Sequence, residues 1–126
     1  MTTTIKFNFN EYVRISSQNV GYNPEAKEQF LKMSKKLAAI TAQELGLEKG
    51  SYDIRVNKAG VAVSGEVTLH SDNLYVQFGQ SSMPGNGRFL CRSCKGRKDY
   101  TGGSNQWYKF EDLRDFGKFI NFLKWL

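Results

Sequence analysis

The stretch "YDIRVNKAGVAVSGEVTLHSDNLYVQF", residues 52–78, decides the fold class. Tyr52, Ile54 and Val56 alternate with Asp53, Arg55 and Asn57, the two-residue period of a strand with one apolar face. Lys58-Ala59-Gly60 reads as a turn, and Val61, Val63, Val67 and Leu69 carry the pattern onto a second strand. Ser71-Asp72-Asn73 turns the chain again, and Leu74, Val76 and Phe78 form the apolar side of a third strand. Connections this short join antiparallel neighbours, because a parallel pair needs a crossover of a dozen or more residues.

Working downstream, "MPGNG" at 83–87 predicts a loop and "RFLCRSC" at 88–94 a fourth strand. Residues 96–106 are too polar and glycine-rich for a core strand, whereas "WYKF" at 107–110 has the composition for a brief pairing. Glu111 and Asp112 then open a final helix with Leu113, Phe116, Ile120 and Leu123 as its stripe. Phe119, Phe122, Trp125 and Leu126 widen that stripe, either to cover the chain's own sheet or to meet another subunit.

Upstream, Asn23-Pro24-Glu25 supplies an N-cap, a proline at the first helical position and an acidic first turn. Ala26, Phe30, Met33, Leu37 and Ile40 follow at helical spacing, and Gly46 is the expected stop. Before it, "TIKFNFN" at 4–10 alternates Ile5, Phe7 and Phe9 against polar residues, which predicts a strand that "YVRIS" at 12–16 extends or pairs with. The expected architecture is α+β, a single domain over residues 1–126 with an antiparallel sheet, a long helix in the N-terminal half and a C-terminal helix.

The formal net charge of +6 and pI near 9.4 favour a phosphorylated or polyanionic partner, because a positive field concentrates such ligands before specific contacts form. No run of roughly 20 apolar residues signals a membrane span, and Met1-Thr2-Thr3-Thr4 lacks the pattern of a signal peptide. The expectation is a cytoplasmic protein whose two cysteines, Cys91 and Cys94, are reduced thiols.

Cys91-x-x-Cys94 is half of a zinc pattern without a second Cys or His pair, and the one histidine, His70, lies on another expected strand. A redox pair wants a helix start after the second cysteine; here Lys95, Gly96, Arg97 and Lys98 lead into a loop. His70, at a strand end beside a turn, reads as an ordinary polar residue, and the carboxylates belong to helix starts or faces except Asp99. No phosphate-binding glycine fingerprint is present, so no enzyme, metal or cofactor is expected.

Binding chemistry is concentrated in "CRSCKGRKDYTGGSNQWY", residues 91–108. Arg92, Lys95, Arg97 and Lys98 are donors suited to phosphate, and Tyr100, Trp107 and Tyr108 offer stacking surfaces for a base. Asp99 and Asn105 can read polar edges, Thr101 and Ser104 add neutral groups, and Gly102 and Gly103 let backbone N–H groups approach an anion. The same set suits a compact nucleotide or single-stranded nucleic acid, and its confinement to one loop favours the compact ligand.

The segments "LYVQFGQSSM" and "CRSCKGRKDYTGGSNQW", within residues 74–108, resemble small phage-encoded proteins of the Thoeris anti-defence type. The resemblance implies a homo-oligomeric sponge that sequesters a cyclic ADP-ribose signal, and in some members cyclic oligonucleotides, without cleaving it. The rival readings are a single-strand nucleic-acid binder and a protein-directed inhibitor such as an anti-CRISPR.

Overall fold

The computed structural model describes residues 6–60, 63–80, 87–99 and 103–126. Ile5, Val61, residues 83–86 of the expected loop, and Tyr100, Thr101 and Gly102 lie outside them. The helices are α1 (Phe9–Ser16), α2 (Pro24–Glu44) and α3 (Phe116–Lys124). The strands are β1 (Tyr52–Asn57), β2 (Glu66–Ser71), β3 (Leu74–Gly79), β4 (Arg88–Ser93) and β5 (Gln106–Lys109), antiparallel in the order β1-β2-β3-β4-β5. The α+β architecture expected from the two-residue period is the observed one.

Register fixes which side chains share a face. Ile54 pairs with Leu69, Leu69 with Val76, Val76 with Cys91, and Cys91 with Gln106. Val67, Leu69, Val76, Phe78, Phe89 and Cys91 on this face are fully buried against the helices. The alternate residues of each strand therefore point the other way, and among the described residues no helix covers them.

The core is aromatic where the sheet meets the helices. Phe89 lies 4.9 Å from Phe110 and 5.1 Å from Phe78, and Tyr108 lies 4.8 Å from Phe119, ring centre to ring centre. Truncating a buried ring such as Phe89 to Ala costs about 3–5 kcal/mol. Tyr12 is also fully buried, its hydroxyl 2.7 Å from the Ser34 hydroxyl on α2, and burial pushes it well above the usual tyrosine range. The C-terminal apolar residues mostly cover their own sheet: Phe119 is buried and Phe122 packs on Tyr108 at 4.9 Å, while Trp125 stays 88% exposed.

Four expectations need correction. The strand expected over 4–10, with 12–16 extending it, is instead helix α1 from Phe9 onward. Asn8 caps it by accepting from the Glu11 amide at 3.0 Å, and Arg14 pairs with Glu11 one turn on. The Asn8-x-x-Glu11 spacing is a capping pattern that competes with the local alternation, and burial of Tyr12 and Ile15 on one helix face decides for the helix. The second strand begins at Glu66, and Val63 is 45% exposed. Gly65 intervenes with φ +69°, and a Cβ there would stand 2.6 Å from the Asn57 carbonyl oxygen.

The last helix does not open at Glu111 and Asp112. Phe110–Arg114 is a 3-10 turn, and α3 starts only after Asp115, whose carboxylate accepts from the Lys118 amide at 3.3 Å. Finally, Tyr108 faces the core beside Phe89 and Phe119, so its ring is not a stacking surface. The α2 expectations hold: Asn23 caps it, Pro24 opens it, and Gly46 follows its end with φ +73°.

Candidate functional site

The face of the sheet turned away from the helices has two unlike halves. On β1 and β2 it carries Asp53, Arg55, Asn57, Glu66, Thr68 and His70. On β3, β4 and β5 it carries Tyr75, Gln77, Gly79, Arg88, Leu90, Arg92, Trp107 and Lys109, with Asn105 just ahead of β5. Acidic residues sit only on the first half of these positions.

The basic loop after β4 folds over the first half. Its base continues the ladder, the Cys94 amide donating to the Asn73 carbonyl at 3.1 Å. Asp99 closes its turn: one carboxylate oxygen accepts from the Lys95 amide at 2.9 Å, and the Asp99 amide donates to the Gly96 carbonyl at 3.0 Å. Arg97 then reaches β1 and the β2–β3 turn. It donates to the Gly50 carbonyl at 3.1 Å and stands 3.4 Å from the Asp72 carboxylate and 3.8 Å from that of Asp53.

Beneath the loop lies His70, fully buried although it belongs to the outward face. Its Nε2 donates to the Gly96 carbonyl at 3.0 Å while its Nδ1 accepts from the Arg55 guanidinium at 2.8 Å, a pairing that assigns the proton to Nε2. The ring edge also meets Tyr75 at 5.0 Å. His70 is thus the post on which the loop rests, a role that the sequence reading missed. The available signal was a histidine in register with Asp53 and Tyr75, on the strand joined by a two-residue turn to the partner of β4.

Gly103 seals the returning limb. Its φ is +76°, and an added Cβ would stand 2.4 Å from the Ser93 carbonyl oxygen, so the position requires the absent side chain. Its freedom serves close packing on β4, whereas the sequence suggested an approach to an anion.

Among the described residues, no loop folds over the second half as it does over the first. Arg92 projects beside the loop with its guanidinium carbon 4.4 Å from the centre of the Tyr75 ring, and it donates to the Asn105 amide oxygen at 3.2 Å. An aromatic face within about 6 Å attracts a cation, so the Tyr75 ring holds the guanidinium in place. One row further along, Trp107 pairs in register with Leu90 and is 47% exposed, an indole platform between the two cationic rows. Lys95 and Lys98 are exposed on the loop above.

Of the expected site residues, the structure brings Arg92, Asn105 and Trp107 together with Tyr75, which the sequence reading had not singled out. Arg97, Asp99 and Gly103 are committed to building the loop, and Lys95 and Lys98 form its charged rim. Cys91 is buried in the core, and Cys94 is buried at the base of the loop, its thiol donating to the Ser71 carbonyl at 3.4 Å. Burial pushes the Cys91 thiol far up, and it also raises Cys94, with Asp99 and Asp72 adding to the shift. Among the described residues no group of three or more His, Cys, Asp and Glu gathers as a metal site, and no helix is long and apolar enough to cross a membrane.

Compared with known proteins, the chain matches no family model, no curated protein and no solved structure.

Proposed function

We propose that the protein binds a small nucleotide signal on the open half of the sheet and sequesters it intact. The observation that carries this reading is the Arg92 guanidinium, laid against Tyr75 and bonded to Asn105 beside the exposed Trp107 indole. A guanidinium takes two phosphate oxygens at once, an indole stacks on a purine, and an amide reads a polar edge. Lys95 and Lys98 add a positive rim that draws the anion in.

The likeness of residues 74–108 to Thoeris anti-defence proteins narrows the ligand to a cyclic ADP-ribose type of signal and the setting to the cytoplasm of a phage-infected cell. On this reading the protein is a homo-oligomer and holds its ligand by stoichiometry, without bond cleavage. A second subunit packed on the open face would exclude water and strengthen every charged contact in the pocket.

The deciding experiment incubates the purified protein with extract from cells producing the signal, reisolates it, denatures it by heat and identifies the freed small molecules. The expected result is an intact cyclic nucleotide at near-stoichiometric yield. Release of nothing, or of a hydrolysed product alone, would overturn the proposal.

A further inference from the structure

A second cationic row lies at the other end of the open half. Arg88 and Lys109 are direct cross-strand partners on β4 and β5, both exposed, and neither has an ion-pair partner among the described residues. Like charges directly opposite each other on a sheet repel, so this pairing is unfavourable unless an anion sits over it. The two cations also border a cleft of about 350 Å³ whose far wall includes Glu111 and the end of α1. The hydroxyls of Ser16 and Ser17 there donate back to the Tyr12 and Arg14 carbonyls, so the cleft wall offers an anion little. Register with Leu90 and Trp107 places both cations on the outward face, so a phosphate above the strands would meet the two together.

Along β4 the rows follow one another as Arg92 with Asn105, Leu90 with Trp107, and Arg88 with Lys109. Arg88 and Arg92 are four residues apart, roughly 13 Å at the rise of a strand. No acidic residue stands on the outward positions of β3, β4 or β5 to oppose a polyanion. Cation, aromatic platform and cation in line form a track, whereas a compact ligand would be served by the Arg92 end alone.

We infer that Arg88 and Lys109 form a second phosphate subsite, through which the open face also takes a linear single-stranded oligonucleotide, its backbone running along β4 and a base stacked on Trp107. This extends the proposed ligand site and rests on Arg92 and Trp107 forming its first half. Single-strand binders combine these two elements, a basic track and stacked aromatics, and bind with strong salt dependence.

The test compares thymidine monophosphate with an oligothymidylate of about eight nucleotides, within the span of known single-strand sites. Both are titrated into the full chain, into Arg88→Ala/Lys109→Ala and into Arg92→Ala/Trp107→Ala, with melting curves to verify folding. Arg88→Ala/Lys109→Ala is expected to leave the mononucleotide unaffected, to weaken the oligonucleotide about tenfold and to flatten its log–log salt slope by about 1.4, two contacts' worth. An unchanged oligonucleotide affinity and salt slope in that variant overturns the second subsite. Loss of mononucleotide binding in Arg92→Ala/Trp107→Ala within the same experiment leaves the first half standing. Equal affinity of the wild type for mononucleotide and oligonucleotide also overturns the inference, and failure to bind either probe does the same.

Discussion

The two halves of the outward face use similar side chains to opposite ends. On β1 and β2 the cations are matched: Arg55 stands 3.6 Å from Asp53 and donates to His70, and Arg97 is drawn to Asp53 and Asp72. On β3, β4 and β5 Arg92 lies against Tyr75 and bonds Asn105, Arg88 stands opposite Lys109, and the outward strand positions carry no acidic residue. The first half pairs acids with bases and carries the loop; the second has basic residues and no acidic ones at its outward strand positions. A basic residue in the sequence says nothing about which of these it will do until register places it beside or apart from an acid.

Four variants test this division, in descending order of expected effect. Arg92→Ala with Trp107→Ala removes the charged and stacking contacts of the open half and is expected to weaken nucleotide binding by at least ~100-fold, about 3 kcal/mol. Calorimetric titration reads it, and a loss under threefold would mean the open half is not the site. His70→Ala, on the roofed half, strips a buried post from beneath the Gly96 carbonyl. It is expected to cost about 2–3 kcal/mol in urea unfolding and to speed amide exchange at residues 95–99. Unchanged exchange there would detach the loop from His70.

Gly103→Ala introduces a left-handed non-glycine residue and a collision with the Ser93 carbonyl. A loss of at least about 1–2 kcal/mol is expected, again measured by urea unfolding. Neutral behaviour would show that the loop's return can move off β4. Arg97→Ala is the mildest: its ion pairs are half-exposed and solvent-screened, so less than about 1 kcal/mol of stability should go. Its effect on ligand affinity should fall well short of that of Arg92→Ala, and equal losses would erase the distinction between the halves.

The sheet was legible in advance because β2, β3 and β4 bury an apolar face and the half-buried β1 follows the same two-residue period, so burial writes itself as alternation. Helix α2 was legible through Asn23, Pro24 and Gly46, which act locally. Helix α1 was not, because Phe7 and Phe9 alternate over too few residues to outweigh the Asn8 cap. The roles within the basic loop depend on contacts far away in sequence, such as Arg97 with Gly50 or His70 with Gly96. Side-chain type alone gave Arg92, Asn105 and Trp107 the same binding role as Arg97 and Asp99, and only the fold separates the two groups. Tyr75 went unnoticed because its importance comes only from lying opposite Arg92 in register.

The chain has two tryptophans, and they differ in what they can report. Trp107 is half-exposed on the outward face of the sheet, whereas Trp125 stands at the C-terminal end, 88% in solvent. With Trp125→Phe, emission excited at the red edge beyond the absorption of the six tyrosines would come from a single indole, whose quenching would follow occupancy of the proposed site without a label. The protein thus carries its own optical gauge of whatever it holds.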